Sequence, residues 1–233
     1  MTIQQEEIHN RPMKKIWYTA IIMMMISLFS PVYSAEKGSF ELSIGMKGVT
    51  GAGFFLGDGW DDELDRYDLK NNPVITFGGI VLLDMNFVQK GVFGFGLQPE
   101  FMFCRTGGMS SINSDDYDYY SLWMADISLY LKLRFKMDKC ILFLLAGPSI
   151  SLPASDIDVD YTYKDNTIDD DIKPDYDYCL GLGAGIGLDI PMGIGKLEIA
   201  ILYKPYFTSY LKNNEMLQNM AIFTLGYSFA VVK

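Results

Sequence analysis

The chain has 233 residues, 19 Lys and Arg against 29 Asp and Glu, and a formal net charge of −10. Nearly half of it is hydrophobic (49%), with 14% aromatic residues and 22 Gly. The acidic balance disfavours a nucleic-acid partner, and after residue 34 no run of 18 or more apolar residues is present to form a spanning helix.

The one long apolar run, 16–29, follows Lys14 and Lys15 and precedes Ser-Pro-Val-Tyr-Ser-Ala. A basic start, an apolar centre and a small-residue end predict a secretory signal peptide over 1–34. Cleavage is expected after Ser34, with Ala35 the alternative, and residues 1–12 read as an upstream start-site extension before Met13. Processing would remove three basic and two acidic residues, leaving a single domain, 35–233, of net charge −11. The only histidine, His9, would leave with the leader. Three cysteines remain, Cys104, Cys140 and Cys179. They are odd in number, far apart and each inside a strand pattern, so they read as small interior residues and not as a disulfide framework.

The first predicted strand covers 38–49, where Phe40, Leu42, Ile44 and Met46 alternate with Glu41, Ser43, Gly45 and Lys47. A Gly- and Asp-rich loop, 50–72, follows. The second strand, 73–86, is apolar on both faces: either Ile75, Phe77, Val81 and Leu83 point outward or the opposite set does. The third, 92–104, sets Phe93, Phe95, Leu97, Phe101 and Phe103 against Gly94, Gly96, Gln98, Glu100 and Met102. Its Pro99 lacks a ladder donor and predicts a bulge or a locally open pair. After a polar loop at 105–118, the fourth strand, 119–136, alternates most strongly. Trp123, Ala125, Ile127, Leu129, Leu131, Leu133 and Phe135 face one way; Met124, Asp126, Ser128, Tyr130, Lys132 and Arg134 face the other.

The fifth strand, 140–152, begins apolar on both faces, and its register is open there. An acidic loop at 153–175 leads to the most regular stretch, 176–190. One face of that stretch is Tyr176, Tyr178, Leu180, Leu182, Ala184, Ile186, Leu188 and Ile190; the other is Asp177, Cys179, four glycines and Asp189. Period two over about fifteen residues is long for a soluble strand, where 5–6 residues are usual. A glycine face ending in carboxylates fits a narrow, crowded, polar interior, with the apolar face turned to lipid. The seventh strand, 196–206, sets Leu197, Ile199, Ile201 and Tyr203 opposite Glu198, Ala200, Leu202 and Lys204, and an eighth alternates over 221–229.

Eight strands, joined alternately by long loops and short turns, predict an all-β, antiparallel, up-and-down transmembrane barrel. The face opposite the apolar one would then line the lumen. The predicted lumen charges are Glu41, Lys47, Glu100, Asp126, Lys132, Arg134, Asp177, Asp189, Glu198 and Lys204. An eight-stranded barrel is just wide enough to be filled by side chains, so these six acids and four bases must be paired or hydrated. They read as a structural network, or alternatively as the lining of a narrow ion or solute channel.

The long connections are acidic: 50–72 carries six acids and two bases, and 153–175 eight acids and two bases. Asp156-x-Asp158-x-Asp160 resembles the start of a calcium loop, but Tyr161 stands where the turn glycine belongs and no Glu closes it. No metal or cofactor site is expected. Without a histidine in the processed chain there is no ready general base, and an enzyme is not expected.

Three stretches resemble the small outer-membrane β-barrel domain of OmpA-, OmpX- and Ail-like proteins and the wider porin family. They are Asp126-Ile-Ser-Leu-Tyr-Leu-Lys-Leu-Arg-Phe135, Leu145-Ala-Gly-Pro-Ser-Ile-Ser151, and Gly181-Leu-Gly-Ala-Gly-Ile-Gly-Leu-Asp189 with its following strand. The order and spacing agree over most of 38–230. The resemblance implies a barrel in the bacterial outer membrane, in contact with its lipid and lipopolysaccharide-like lipids, and monomeric. A structural or surface-interaction role is the expected function. It would act by adhesion or host-factor binding, through a protein or cationic ligand at loops 50–72 and 153–175.

Overall fold

The computed structural model describes residues 40–57, 60–61, 64–65, 68–112, 116–163, 166–175, 177–210 and 217–232. The predicted signal peptide lies outside them. The described residues form eleven strands in chain order: β1 (Glu41–Leu56), β2 (Lys70–Asn72), β3 (Val74–Lys90), β4 (Phe93–Ser111), β5 (Tyr117–Lys136), β6 (Ile141–Pro153), β7 (Ile157–Tyr163), β8 (Asn166–Ile172), β9 (Cys179–Met192), β10 (Gly195–Pro205) and β11 (Leu217–Val232).

Eight of these form a closed antiparallel ring, β1–β3–β4–β5–β6–β9–β10–β11, with β11 returning to β1. Closure leaves the ring without an edge, the condition for a sheet to cross a membrane. The eight ring strands are the eight read from the sequence. At one end the connections are tight: Gly91 (φ 61°) and Gly193 (φ 60°) supply the left-handed backbone that two of the turns need. At the other end the connections are long. Here β2 pairs with the last residues of β4, and β7 pairs with the first residues of β5 and carries β8 on its far side.

Alternation along the strands becomes inside and outside of the ring. On β5, Ile127, Leu131 and Leu133 are exposed, whereas Asp126, Ser128, Tyr130, Lys132 and Arg134 are buried. The exposed face is apolar right around the ring, with Met46 and Ile75 as much as 70% and 72% exposed. A soluble protein buries such a surface; a membrane barrel turns it to lipid. Aromatic side chains gather at both ends of this band. Phe93 meets Phe135 (5.2 Å) near the turns, and Trp123 stacks on Phe103 (5.1 Å) near the loops. Phe93 and Phe103 are about ten residues apart on β4; at roughly 3.4 Å per residue and a tilt of 35–45° the girdles lie about 24–28 Å apart along the axis, close to the thickness of an outer-membrane apolar band.

The structure settles the open registers. On β3, Ile75, Phe77 and Val81 are exposed while Val74, Thr76, Ile80, Leu82 and Asp84 are interior; on β6, Phe143 and Leu145 are interior and Leu144 exposed. The β4–β5 ladder runs straight through Pro99, opposite Leu129. The β3–β4 ladder skips from the Leu82–Glu100 pair to the Met85–Leu97 pair, so it is locally open where Pro99 has no N–H to give. The predicted loops are shorter than expected because strands continue out of the apolar band. Residues 50–56 belong to β1, β4 reaches Ser111, and 153–175 contains the β7–β8 hairpin. Beyond the lipid an outward face can be polar, so the apolar alternation that marks a membrane strand fades there.

Candidate functional site

Among the described residues, the buried charged side chains are five acids, Asp84, Glu100, Asp126, Asp189 and Glu198, and five bases, Lys47, Lys132, Arg134, Lys196 and Lys204. All ten project from ring strands into the lumen, and they pair across it in three layers.

Nearest the turns, Asp84 of β3 takes Arg134 of β5 and Lys196 of β10, and Asp189 of β9 lies 3.4 Å from Lys196 and 3.6 Å from Arg134. Above them Lys132 reaches Asp84 (3.2 Å), Asp189 (3.3 Å) and Glu198 (2.9 Å), joining three strand walls at one ammonium. Lys47 of β1 pairs with Glu100 (2.7 Å) and with Glu198, and Gln98 donates to both carboxylates (2.7 and 3.2 Å). Closer to the loops, Lys204 holds Asp126 and Ser128, and the Tyr206 hydroxyl donates to Asp126 at 2.7 Å. Each ion thus has an opposite charge in contact, the arrangement that makes buried charge tolerable.

The glycine face of β9 has a steric purpose in this packing. A Cβ at Gly183 would lie 2.4 Å from the Tyr130 hydroxyl, one at Gly187 2.4 Å from the Phe143 ring, and one at Gly181 2.8 Å from the Tyr206 ring. Bulky side chains from other walls therefore lie flat against β9. Phe143 also offers its ring face to Lys132 Nζ, 4.0 Å from the centroid. Side chains thus meet across the lumen from several walls, in keeping with a ring just wide enough to be filled by them.

Of the ten charges read from the sequence, Lys47, Glu100, Asp126, Lys132, Arg134, Asp189, Glu198 and Lys204 come together in this network. Glu41 is half-buried at the first residue of β1, and Asp177 is exposed, two residues before β9 begins. The period-two pattern of the sequence continues past the true start of β9 at Cys179. Two members were missed. Asp84 fell on the strand whose register was ambiguous. Lys196 sits beside a turn, although it shares the parity of Glu198 and that signal was readable.

Asp84, Asp189 and Glu198 bring ligand oxygens within 4.8 Å of one another. Lys132, Arg134 and Lys196 already occupy the positions a cation would take, so this trio is charge-balanced and a poor metal site. The cysteines are free; Cys104 and Cys179 are interior and Cys140 is half-buried before β6.

The loop end of the lumen is capped. Trp60 is 1% exposed and packs edge-on against Phe55 (5.4 Å) and Tyr120 (5.8 Å). Beneath it Thr76 and Thr106 share a hydrogen bond (2.8 Å). On another wall Ser151 bonds Tyr210, whose phenol is pushed above its ordinary range by burial and by the neighbouring Cys179.

Above the ring stands a small sheet, β2–β4–β5–β7–β8. Ile157 and Val159 face inward and are buried, which turns Asp158 and Asp160 to the other face. The register sets Asp158 opposite Asp171 and Asp160 opposite Asp169. Residues Asp158 and Asp160 therefore lie in an extended strand, not in a coordinating loop. Arg105 approaches Asp158 at 3.5 Å across this outer face.

No family model matches the chain, and neither does any curated protein. Solved structures do. The outer membrane protein OprG from Pseudomonas aeruginosa is similar at 10% identity, over 85% of this chain and 99% of that one, with a TM-score of 0.50. Ail, the attachment invasion locus protein of Yersinia pestis, determined with the heparin analogue sucrose octasulfate, is similar at 14% identity over 81% of this chain and 99% of that one, with a TM-score of 0.40. The chain has the fold of a small outer-membrane β-barrel.

Proposed function

We propose that the protein works at the cell surface, as an outer-membrane barrel whose lumen is structural and whose activity is binding, through the acidic sheet at its loop end. The observation that carries this reading is the balance of the lumen: five buried acids against five buried bases among the described residues, in mutual contact from six of the eight ring strands, under an aromatic cap. A filled, neutral interior supports a closed barrel and leaves the loop end as the place where a partner can be met. In barrels of this class the long connections face outward and the short turns face the periplasm, which puts β7 and β8 beyond the outer leaflet. There, half-exposed Tyr117 and Tyr119 lie on the same face as the acidic hairpin, a composition suited to protein contact. The role is adhesion or host-factor binding, as a monomer.

Deleting 157–172 and rejoining the strands outside the ring removes the hairpin and leaves the eight ring strands intact. Cells displaying the shortened barrel are expected to lose attachment to host cells or matrix while keeping the heat-modifiable folded form. Unchanged attachment would overturn the surface-binding reading. Retention of function together with ion conductance would favour the alternative, a narrow channel.

A further inference from the structure

The loop-end half of the lumen is rich in sulfur. Cys104 of β4, Met124 of β5, Cys179 of β9 and Met220 of β11 are all buried there, in the apolar cluster that Trp60 covers. The charge network does not use them, and neither does surface binding.

Three of these sulfurs converge. Cys104 and Met124 are direct partners in the β4–β5 ladder and both face inward, which sets their Cβ atoms about 4.5–5.5 Å apart. From across the lumen, Gln218 of β11 donates to Thr106 Oγ1 (3.4 Å) and to the Gly107 carbonyl (3.3 Å) of β4. Gly53, the β1 partner of Met220, lies so near β4 that an added Cβ would be 2.2 Å from Thr106 Oγ1. Two residues further into the ring, the next inward positions on β11 and β4 are Met220 and Cys104, and both are 0% exposed. The register thus turns one thiol and two thioethers toward one another. Ser151 Oγ donates to Met124 Sδ (3.7 Å) and orients that thioether through one of its lone pairs.

We propose that Cys104, Met124 and Met220 form a binding site for a soft monovalent metal ion, Cu(I) or Ag(I). Thiolate and thioether ligands select soft ions, whereas carboxylate and carbonyl oxygens suit hard ones. Charge favours the same choice. The ion takes the place of the thiol proton, which leaves to solvent, so one positive charge enters as one departs and no electron moves. The two thioethers add no charge. Lys204 and Asp126, the charges that act on Cys104, are paired with each other. A divalent ion would leave net charge in an apolar space, which is costly. Because Trp60 and its neighbours cover the site, the ion enters as the barrel folds or when the cap opens.

The test refolds the barrel without oxygen in the presence of Cu(I) held by bicinchoninate, whose colour fades as the ion is taken from it. A single ion per barrel is expected, with sulfur as its only neighbour in X-ray absorption. Cys104→Ser, and separately Met124→Leu combined with Met220→Leu, are each expected to weaken uptake by at least about tenfold, the loss that even a supporting outer residue causes in metal sites. Heat-modifiable mobility is expected to stay unchanged in both. Cys140→Ser and Cys179→Ser are expected to bind as the native chain does, and Zn(II) to be refused. No uptake by a folded barrel would overturn the site. So would uptake that survives Cys104→Ser or the paired Met substitutions, or equal uptake of Zn(II).

Discussion

Replacing Lys132 with Met is expected to destabilise the folded barrel by roughly 3–5 kcal/mol, the range for breaking a buried ion pair on one side only. Lys132 is fully buried and serves Asp84, Asp189 and Glu198 at once. Met fills nearly the same volume, so packing changes little and the loss is electrostatic: the lumen is left with five acids against four bases. A second substitution, Asp189→Asn, restores the count and is expected to recover much of the stability. Urea titration of the barrel in lipid vesicles, run as a double-mutant cycle over the four proteins, reads the coupling directly. Additive losses would mean that the two groups do not sense each other.

The neighbouring residue gives the second large effect, for the opposite reason. Leu131 is 45% exposed on the outer face of β5, between the two aromatic girdles. In a soluble sheet, Arg at an exposed position is usually close to neutral. Against lipid near the midplane, Leu131→Arg is expected to cost about 2–4 kcal/mol, falling toward zero for the same change near either interface. The same urea titration measures it. A negligible effect at Leu131 would place the apolar face in water and remove the basis for a membrane barrel.

That two adjacent residues carry opposite predictions shows how much the alternation conveys. Along β5 and β9 the sequence separates inside from outside residue by residue, because one face must be apolar for lipid and the other polar, small or charged. The pattern weakened where the lumen itself accepts apolar side chains. Leu82 and Phe143 are interior, so β3 and the start of β6 look apolar on both faces, and Asp84 was hidden among them. Asp177 shows the reverse failure: period two continues past the strand into exposed chain, and nothing local marks where the ladder stops. The upper sheet was the least legible. Ile157, Val159 and Tyr161 alternate with Asp158, Asp160 and Thr162, which is strand grammar, but the density of acids gives that segment the composition of a solvated loop. Which carboxylate meets which ammonium was beyond reading, since partners lie as far apart in sequence as Lys47 and Glu198 and depend on the stagger of the closed ring.

The central claim is that the ring is closed to ions, and planar-bilayer conductance of the refolded barrel tests it most directly. Heat-modifiable mobility in the same preparation confirms that the barrel is folded. The ion-paired lumen and the Trp60 cap predict a folded barrel that inserts and gives no unitary steps. Stable, reproducible steps from the native sequence would contradict a structural lumen and make the Lys132 cluster part of a conducting path.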